Sequence, residues 1–326
     1  MIPQFSYVKA SSLDEAVKHA ANQQARIHAG GTDLLGCLRD GVFGADTVVS
    51  ISGLAKLKGI QETADGGLRI GALTTIAELA ASQVIAKSFT ALAQAASEIA
   101  TPQLRNQGTI GGNLCQKPRC WYYRGEFHCV RKGGDTCYAE HGENQYHAVF
   151  GADGTCYYVH PSDTAPALIS LGAVVVTRGK GGSKKIALEK FFVRPGDDPI
   201  KETVLAPGEI VTHILVPKPA PGLRSSYRKV RARRSWDFAL AGVALAVGFK
   251  GKKVQSALVV LSGAAPTPWR LPDVEKIIVG TELDDATIEK ASSIAVKGSE
   301  PLEKNAYKIP MFKGVIQEQL LALREA

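Results

Sequence analysis

The 326-residue chain has no apolar run long enough to cross a bilayer as a helix, a length of about 20 residues, so no membrane insertion is expected. Its opening, Met1-Ile2-Pro3-Gln4-Phe5, forms neither a basic leader nor the apolar core of a signal peptide. The glycine fingerprint of a Rossmann dinucleotide site is missing, as is the lysine-terminated P-loop. No internal repeat and no low-complexity segment occurs. No Ser/His/Asp constellation or carboxylate pair stands out that could convert a substrate by itself.

The net charge is +8, and Lys229, Arg231, Arg233 and Arg234 form a dense basic run, but nucleic acid is not the expected partner. The basic run passes directly into an apolar stretch from Trp236 to Val247 that reads as a buried element, and no nucleic-acid motif surrounds it. A solvated rim explains the run; a cofactor contact or a subunit-docking patch is the alternative.

Length and a 45% hydrophobic content allow two or three domains. Residues 1–53 read as a small α/β lobe. Phe5 to Val8 alternates as a strand, Ser12-Leu13-Asp14-Glu15 is a capping box opening a helix to about Asn22, Arg26 to Ala29 is a second strand, and Thr47 to Ile51 is a third. From 54 to 221 the elements are mixed: a strand at Leu68–Leu73, an apolar helix at Ser88–Ala100, and β-rich runs at Ala173–Thr177 and Glu209–Val216. Pro217, Pro219 and Pro221 mark the boundary. Residues 222–326 read as three strands, near 227–231, 239–249 and 254–262, followed by helices, the last from about Val315 to Arg324.

Two glycine pairs, Gly30-Gly31 and Gly111-Gly112, follow apolar elements and are flanked by threonine and a polar residue. One such pair is an ordinary turn. Two in matching contexts suggest backbone N–H groups left open to a close anion such as a pyrophosphate. Immediately beyond the second pair, five of the six cysteines gather at Cys115, Cys120, Cys129, Cys137 and Cys156. Without a secretory signal this argues against a disulfide framework. The gaps of eight, seven and eighteen residues from Cys120 onward are too wide for zinc knuckles and fit a loop wrapped around an iron–sulfur cluster better; zinc and inert buried or disulfide-bonded cysteine remain open alternatives. His128, His141 and His147 are possible ligands or plain surface residues, and Cys37 reads as a small core residue.

Four motifs in register, Ala29-Gly30-Gly31-Thr32-Asp33-Leu34, Thr109-Ile110-Gly111-Gly112-Asn113, His160-Pro161-Ser162-Asp163 and Leu205-Ala206-Pro207-Gly208-Glu209-Ile210, resemble the FAD-binding medium subunit of the xanthine dehydrogenase family of molybdenum hydroxylases. The island resembles the [4Fe-4S] loop in the flavin subunits of 4-hydroxybenzoyl-CoA reductase and of bacterial three-subunit aldehyde oxidoreductases. The segments at 119–124, 142–148 and 160–166 are closer to the latter.

The resemblance implies an α+β fold: an FAD-binding fold of the vanillyl-alcohol oxidase/PCMH type with two α/β subdomains, plus a C-terminal domain with a three-stranded antiparallel sheet and helices. It implies that Ala29, Gly30, Gly31, Thr32, Asp33, Leu34, Gly108, Thr109, Gly111, Gly112 and Asn113 cradle the FAD pyrophosphate, with Thr101 and Ser162 also at the cofactor. Asp163 would bind the adenosine end, Glu209 and Ile210 would line the flavin pocket, and Lys229 would lie near the isoalloxazine. Cys120, Cys129, Cys137 and Cys156 would hold a [4Fe-4S] cluster, with Cys115 a bystander that leaves the choice of four from five open. The implied partners are a large subunit with the molybdenum cofactor, a small subunit with two [2Fe-2S] clusters, and an external electron acceptor. The implied function is electron transfer in an aldehyde oxidoreductase, with a 4-hydroxybenzoyl-CoA reductase-like or other hydroxylase of the family as the alternative. With no export signal of its own, the chain is expected in the cytoplasm, or in the periplasm by co-export with a partner bearing a twin-arginine signal.

Overall fold

A computed structural model describes residues 2–325. The first lobe is a parallel three-stranded sheet in the order β1-β3-β2, with β1 at Ser6–Lys9, β2 at Ala25–His28 and β3 at Thr47–Ser50, crossed by helices α1 (Leu13–Ala20) and α2 (Leu34–Arg39). Ser12 caps α1 by accepting from the Glu15 N–H at 3.2 Å, and the Glu15 carboxylate turns back to Ser11. The helix stops at Ala20, short of the expected Asn22, because the Asn22 side chain accepts from the Gln24 N–H and folds its own turn.

The second sheet has five strands in the order β4-β5-β8-β6-β7: β4 at Ile60–Glu62, β5 at Leu68–Gly71, β6 at Val174–Gly179, β7 at Gly182–Ala187 and β8 at Ile210–Val216. Between β5 and β6 run α3 (Ile76–Ala81), α4 (Gln83–Ser88), α5 (Thr90–Ser97), α6 (Pro102–Gln107), α7 (Ile110–Leu114), α8 (Trp121–Arg124) and α9 (Thr164–Ser170). The expected helix at 88–100 is the shorter α5 at Thr90–Ser97. Phe89, 2% exposed, separates it from α4 with φ −137° and ψ 51° as its ring turns into the core, and the chain beyond it turns through Ala100 at φ +46°.

The C-terminal sheet is antiparallel, β12-β11-β10-β9, with β9 at Leu223–Val230, β10 at Ala241–Lys250, β11 at Lys253–Ser262 and β12 at Trp269–Arg270. The fourth strand, absent from the sequence reading, is two residues long and set only by pairing with Val260 and Leu261; so short a strand leaves no alternation to read. Helices α10 (Pro272–Ile278), α11 (Asp285–Ala295) and α12 (Lys308–Glu325) cover this sheet. The last helix begins seven residues before the expected Val315. Pro310 sits in its first turn, where a missing N–H costs no helical bond.

Strand β10 joins the halves. Ala244 and Ala246 point into the core shared with α5, α9 and the five-stranded sheet, while Val243, Leu245 and Val247 point into the core beneath α10–α12. Alternate residues on opposite faces place small side chains toward one domain and larger ones toward the other. Through this strand the C-terminal domain carries β9, and with it Tyr227 and Lys229, to the edge of the cleft.

Candidate functional site: a glycine-lined cleft beside a cysteine island

A cleft of about 680 Å³ is lined by the first glycine turn, by the second turn with Ala72 and Leu73, by Asp163, Glu209 and Ile210, and by Lys229, Trp236 and Phe238 from the C-terminal domain. The volume falls in the range of cofactor pockets, roughly 300–1,000 Å³.

The two glycine turns touch, and each uses its glycines differently. A Cβ on Gly30 would stand 1.8 Å from the Gln107 carbonyl oxygen, and Gly31 holds φ +75°, so only glycine lets this loop lie against the second turn. Among the described residues, the N–H groups of Gly30, Gly31, Thr32 and Asp33 have no acceptor within the chain. Four free donors facing a cleft are a fit for an anion such as a pyrophosphate. The second turn spends its donors internally: Ile110 N–H on Thr74 O, Gly111 N–H on Ala72 O, and Gly112 N–H on the Thr109 hydroxyl. Gly111 is glycine because a Cβ would meet Ala72 Cβ at 2.9 Å. This turn contributes the cleft's wall, with Gly108, Thr109, Gly111, Gly112 and Asn113 all lining it.

Asp163 is 4% exposed. It accepts from Lys229 Nζ at 2.8 Å and from the Tyr227 hydroxyl at 2.6 Å. Burial, and then the Asp163 charge, drive the Tyr227 hydroxyl's pKa far upward, so it stays a proton donor. Asp163 and Lys229, expected at different parts of the cofactor, are in direct contact and form one buried ion pair. Glu209 also lines the cleft and is buried, accepting from the Thr177 hydroxyl at 2.5 Å and the Ala206 N–H at 3.1 Å. Burial opposes its charge, but these donors prevail and hold its carboxyl below the ordinary value. Thr101 and Ser162 do not line the cleft. Thr101 caps α6 through the Leu104 N–H, and Ser162 donates to the Asn113 side chain at 2.5 Å from behind. Trp236 and Phe238 are cleft residues that sequence reasoning missed; they lie on the connection between β9 and β10, and Tyr227 reaches the cleft only through its bond to Asp163.

The cysteines divide into two groups. Cys115 lines the cleft and packs on the central core; burial pushes its thiol up to about 12. Cys120, Cys129, Cys137 and Cys156 lie near one another, and Cys37, which the sequence set apart from them, packs beside Cys120 and Cys129. Burial raises the Cys120 thiol to about 11, with the Cys137 and Cys129 thiols adding to the rise. Interaction between the neighbouring Cys137 and Cys156 thiols draws Cys137 down and pushes Cys156 up. All six cysteines are free thiols, so the disulfide alternative finds no pair. Among the described residues no three His, Cys, Asp or Glu side chains are grouped to hold a metal ion.

The island is fastened on two sides. His147 Nε2 lies 3.3 Å from Cys120 Sγ, and the His147 carbonyl accepts from Asn305 and from Lys308, whose Nζ also reaches Gly263 O at 2.6 Å. Arg131, between Cys129 and Cys137, is paired with Glu202 and stacked over the Tyr158 ring at 4.3 Å.

Residues 3–219 match the family model described as the FAD binding domain in molybdopterin dehydrogenase, and residues 225–321 match the CO dehydrogenase flavoprotein C-terminal domain. The chain is 34% identical to the aldehyde oxidoreductase FAD-binding subunit PaoB of Escherichia coli K12, over 98% of both chains. It is 30% identical to the glyceraldehyde dehydrogenase medium chain of Sulfolobus acidocaldarius, over 89% of this chain and 86% of that one. Among solved structures, the Cu,Mo-CO dehydrogenase in its cyanide-inactivated form superposes with a TM-score of 0.79 at 25% identity, covering 100% of this chain and 99% of the other.

Proposed function

The chain belongs to the FAD-binding medium subunits of the molybdenum hydroxylase family, and from that premise we propose that it is the electron-transfer subunit of an aldehyde oxidoreductase. In this reading a large subunit with the molybdenum cofactor oxidises the substrate, a small subunit with two [2Fe-2S] clusters relays the electrons, and this chain passes them to an external acceptor. Bound FAD supplies a centre that takes one or two electrons, and a [4Fe-4S] cluster supplies one-electron transfer beside it.

The chain's own residues bind and orient. The free amides of 30–33 receive the pyrophosphate, Thr32 and Thr109 offer hydroxyls, and Lys229 with Asp163 fixes the cofactor from the C-terminal side. Cys120, Cys129, Cys137 and Cys156 would hold the cluster. A single ion needs its thiolates crowded at about 2.3 Å from one centre, whereas a cluster interposes its own irons and sulfides and takes ligands standing farther apart. Four thiols that influence one another without forming a single-ion site are compatible with the larger group.

The observation that carries the aldehyde reading is the likeness, over nearly the whole of both chains, to a subunit named for an aldehyde oxidoreductase. Co-expression with the neighbouring subunits should give a complex whose spectrum shows flavin bands above a broad iron–sulfur shoulder and which oxidises aldehydes to carboxylic acids. Cys129→Ser should lower iron by about one cluster while Cys115→Ser leaves it unchanged. Iron lost with Cys115 alone, or zinc in its place, would overturn the ligand set; dehydroxylation of an aromatic thioester would turn the reading to the 4-hydroxybenzoyl-CoA reductase alternative.

A further inference from the structure

Asp33 stands at the N-terminus of α2, where an aspartate ordinarily caps the helix, yet it makes no side-chain cap bond. Its carboxylate is occupied by the cysteine island instead. Arg119 Nη1 and Arg124 Nη2 each lie 2.7 Å from Oδ1, and the Lys117 N–H donates to Oδ2 at 2.7 Å. Arg124 is itself fixed in every direction: Nε donates to Pro118 O at 2.7 Å, Nη1 to Cys37 Sγ at 2.8 Å, and Nη2 also to Lys117 O at 3.1 Å. Burial opposes the Asp33 charge, but the two guanidiniums outweigh it and keep the carboxyl below its ordinary value.

This arrangement has two consequences for the cleft. Asp33 directly follows the free amides of Gly30, Gly31 and Thr32, so gripping its side chain fixes the loop that carries them. Turning its carboxylate toward the arginines also keeps it from competing with an anion for those donors.

We infer that Arg119 and Arg124 are positioning residues for the cofactor: the cysteine island holds the FAD cradle in its binding shape by clamping Asp33. The inference rests on the reading that the cleft takes FAD. It makes the island a structural part of the flavin site, whatever else the island carries, and it uses residues 86 and 91 positions away from Asp33 in the chain.

A clamp and a mere source of positive charge make opposite predictions for one variant. Asp33→Asn removes a negative charge beside the pyrophosphate, so an island that only supplied charge would let FAD bind more tightly. A clamp that is lost lets the cradle loosen, and FAD binds more weakly. The test is fluorescence titration of FAD into flavin-depleted full-length protein, with thermal melting to show that each variant is folded. Asp33→Asn and Arg124→Gln should each weaken FAD at least fivefold. The double variant should be little worse than either single one, because both changes cut the same contact. Arg124→Lys, which keeps the charge but not the planar fork, should fall between wild type and Arg124→Gln. If Arg124→Gln does not fold, Arg119→Gln, whose side chain is 29% exposed, takes its place. Tighter FAD in Asp33→Asn, or affinities within twofold of wild type in both singles, would overturn the inference. A wild-type chain that takes up no FAD at all would instead defeat the functional reading beneath it.

Discussion

The cleft and the cysteine island adjoin and are built by opposite means. The cleft presents backbone: four N–H groups on one turn, and a second turn whose glycines are there for closeness. The island is held by side chains, with Lys308, Asn305, Arg131 and Arg124 each reaching it from elsewhere in the fold or tying it there. A backbone site is sensitive to any added Cβ, even where a remote clamp such as Arg124 on Asp33 holds it. A side-chain site is fixed by distant partners and fails when one of them is removed.

The largest effect expected from this contrast is at Gly30. In Gly30→Val the new side chain overlaps the Gln107 carbonyl, which is backbone and cannot swing away. The variant should lose FAD and about 4 kcal/mol or more of stability, the scale of severe steric substitutions, while island iron is retained. Retained FAD with unchanged melting would show that the two turns are not in contact.

A smaller loss is expected on the island's far side. Lys308→Met leaves Gly263 O without its donor while His147 O keeps Asn305, and about 2 kcal/mol should be lost in denaturant unfolding, since a buried acceptor left unpaired costs about 1–3 kcal/mol. Burial pushes the Lys308 ammonium down to about 7 from the ordinary 10.5. Between those values the unfolded chain binds more protons than the folded one, so wild-type stability contributed at this residue rises with pH across the window. Lys308→Met lacks that rise, and the gap between the two proteins should widen from pH 7 to pH 10. A gap that stays constant would mean that the amine does not titrate in this environment.

The smallest effect sharpens the boundary of the cleft. Thr101 caps α6 and does not line the cavity, so Thr101→Val should cost about 1 kcal/mol, as the loss of an N-cap does, with FAD affinity unchanged. Weakened FAD at unaltered stability would return Thr101 to the cofactor site.

Much of the cleft was legible because its chemistry is local. Gly30-Gly31 and Gly111-Gly112 announce backbone that must come close to something, and both turns line the cavity. What each pair approaches was not legible: Gly111 faces Ala72, and the second turn's amides are already engaged. Asp33 and Asp163 were read as cofactor residues, yet each carboxylate is taken up by basic partners far along the chain. Ser162 lies behind Asn113 instead of at the cleft surface. The fourth strand of the C-terminal sheet escaped notice because a two-residue strand has no periodicity.

By itself the sequence determined the features that depend on a few neighbouring residues: the capped start of α1, the glycine turns, the two-faced alternation of β10 and the supply of thiols between 115 and 156. Tertiary structure alone decided what each cysteine packs against, such as Cys115 on the cleft, and which charges meet, such as Arg124 with Asp33 across 91 residues. The physical reason is range. Backbone conformation and capping are governed by interactions within a turn or two, whereas ion pairs and thiol neighbourhoods form only where packing brings remote segments within a few ångströms, and no local pattern records that meeting.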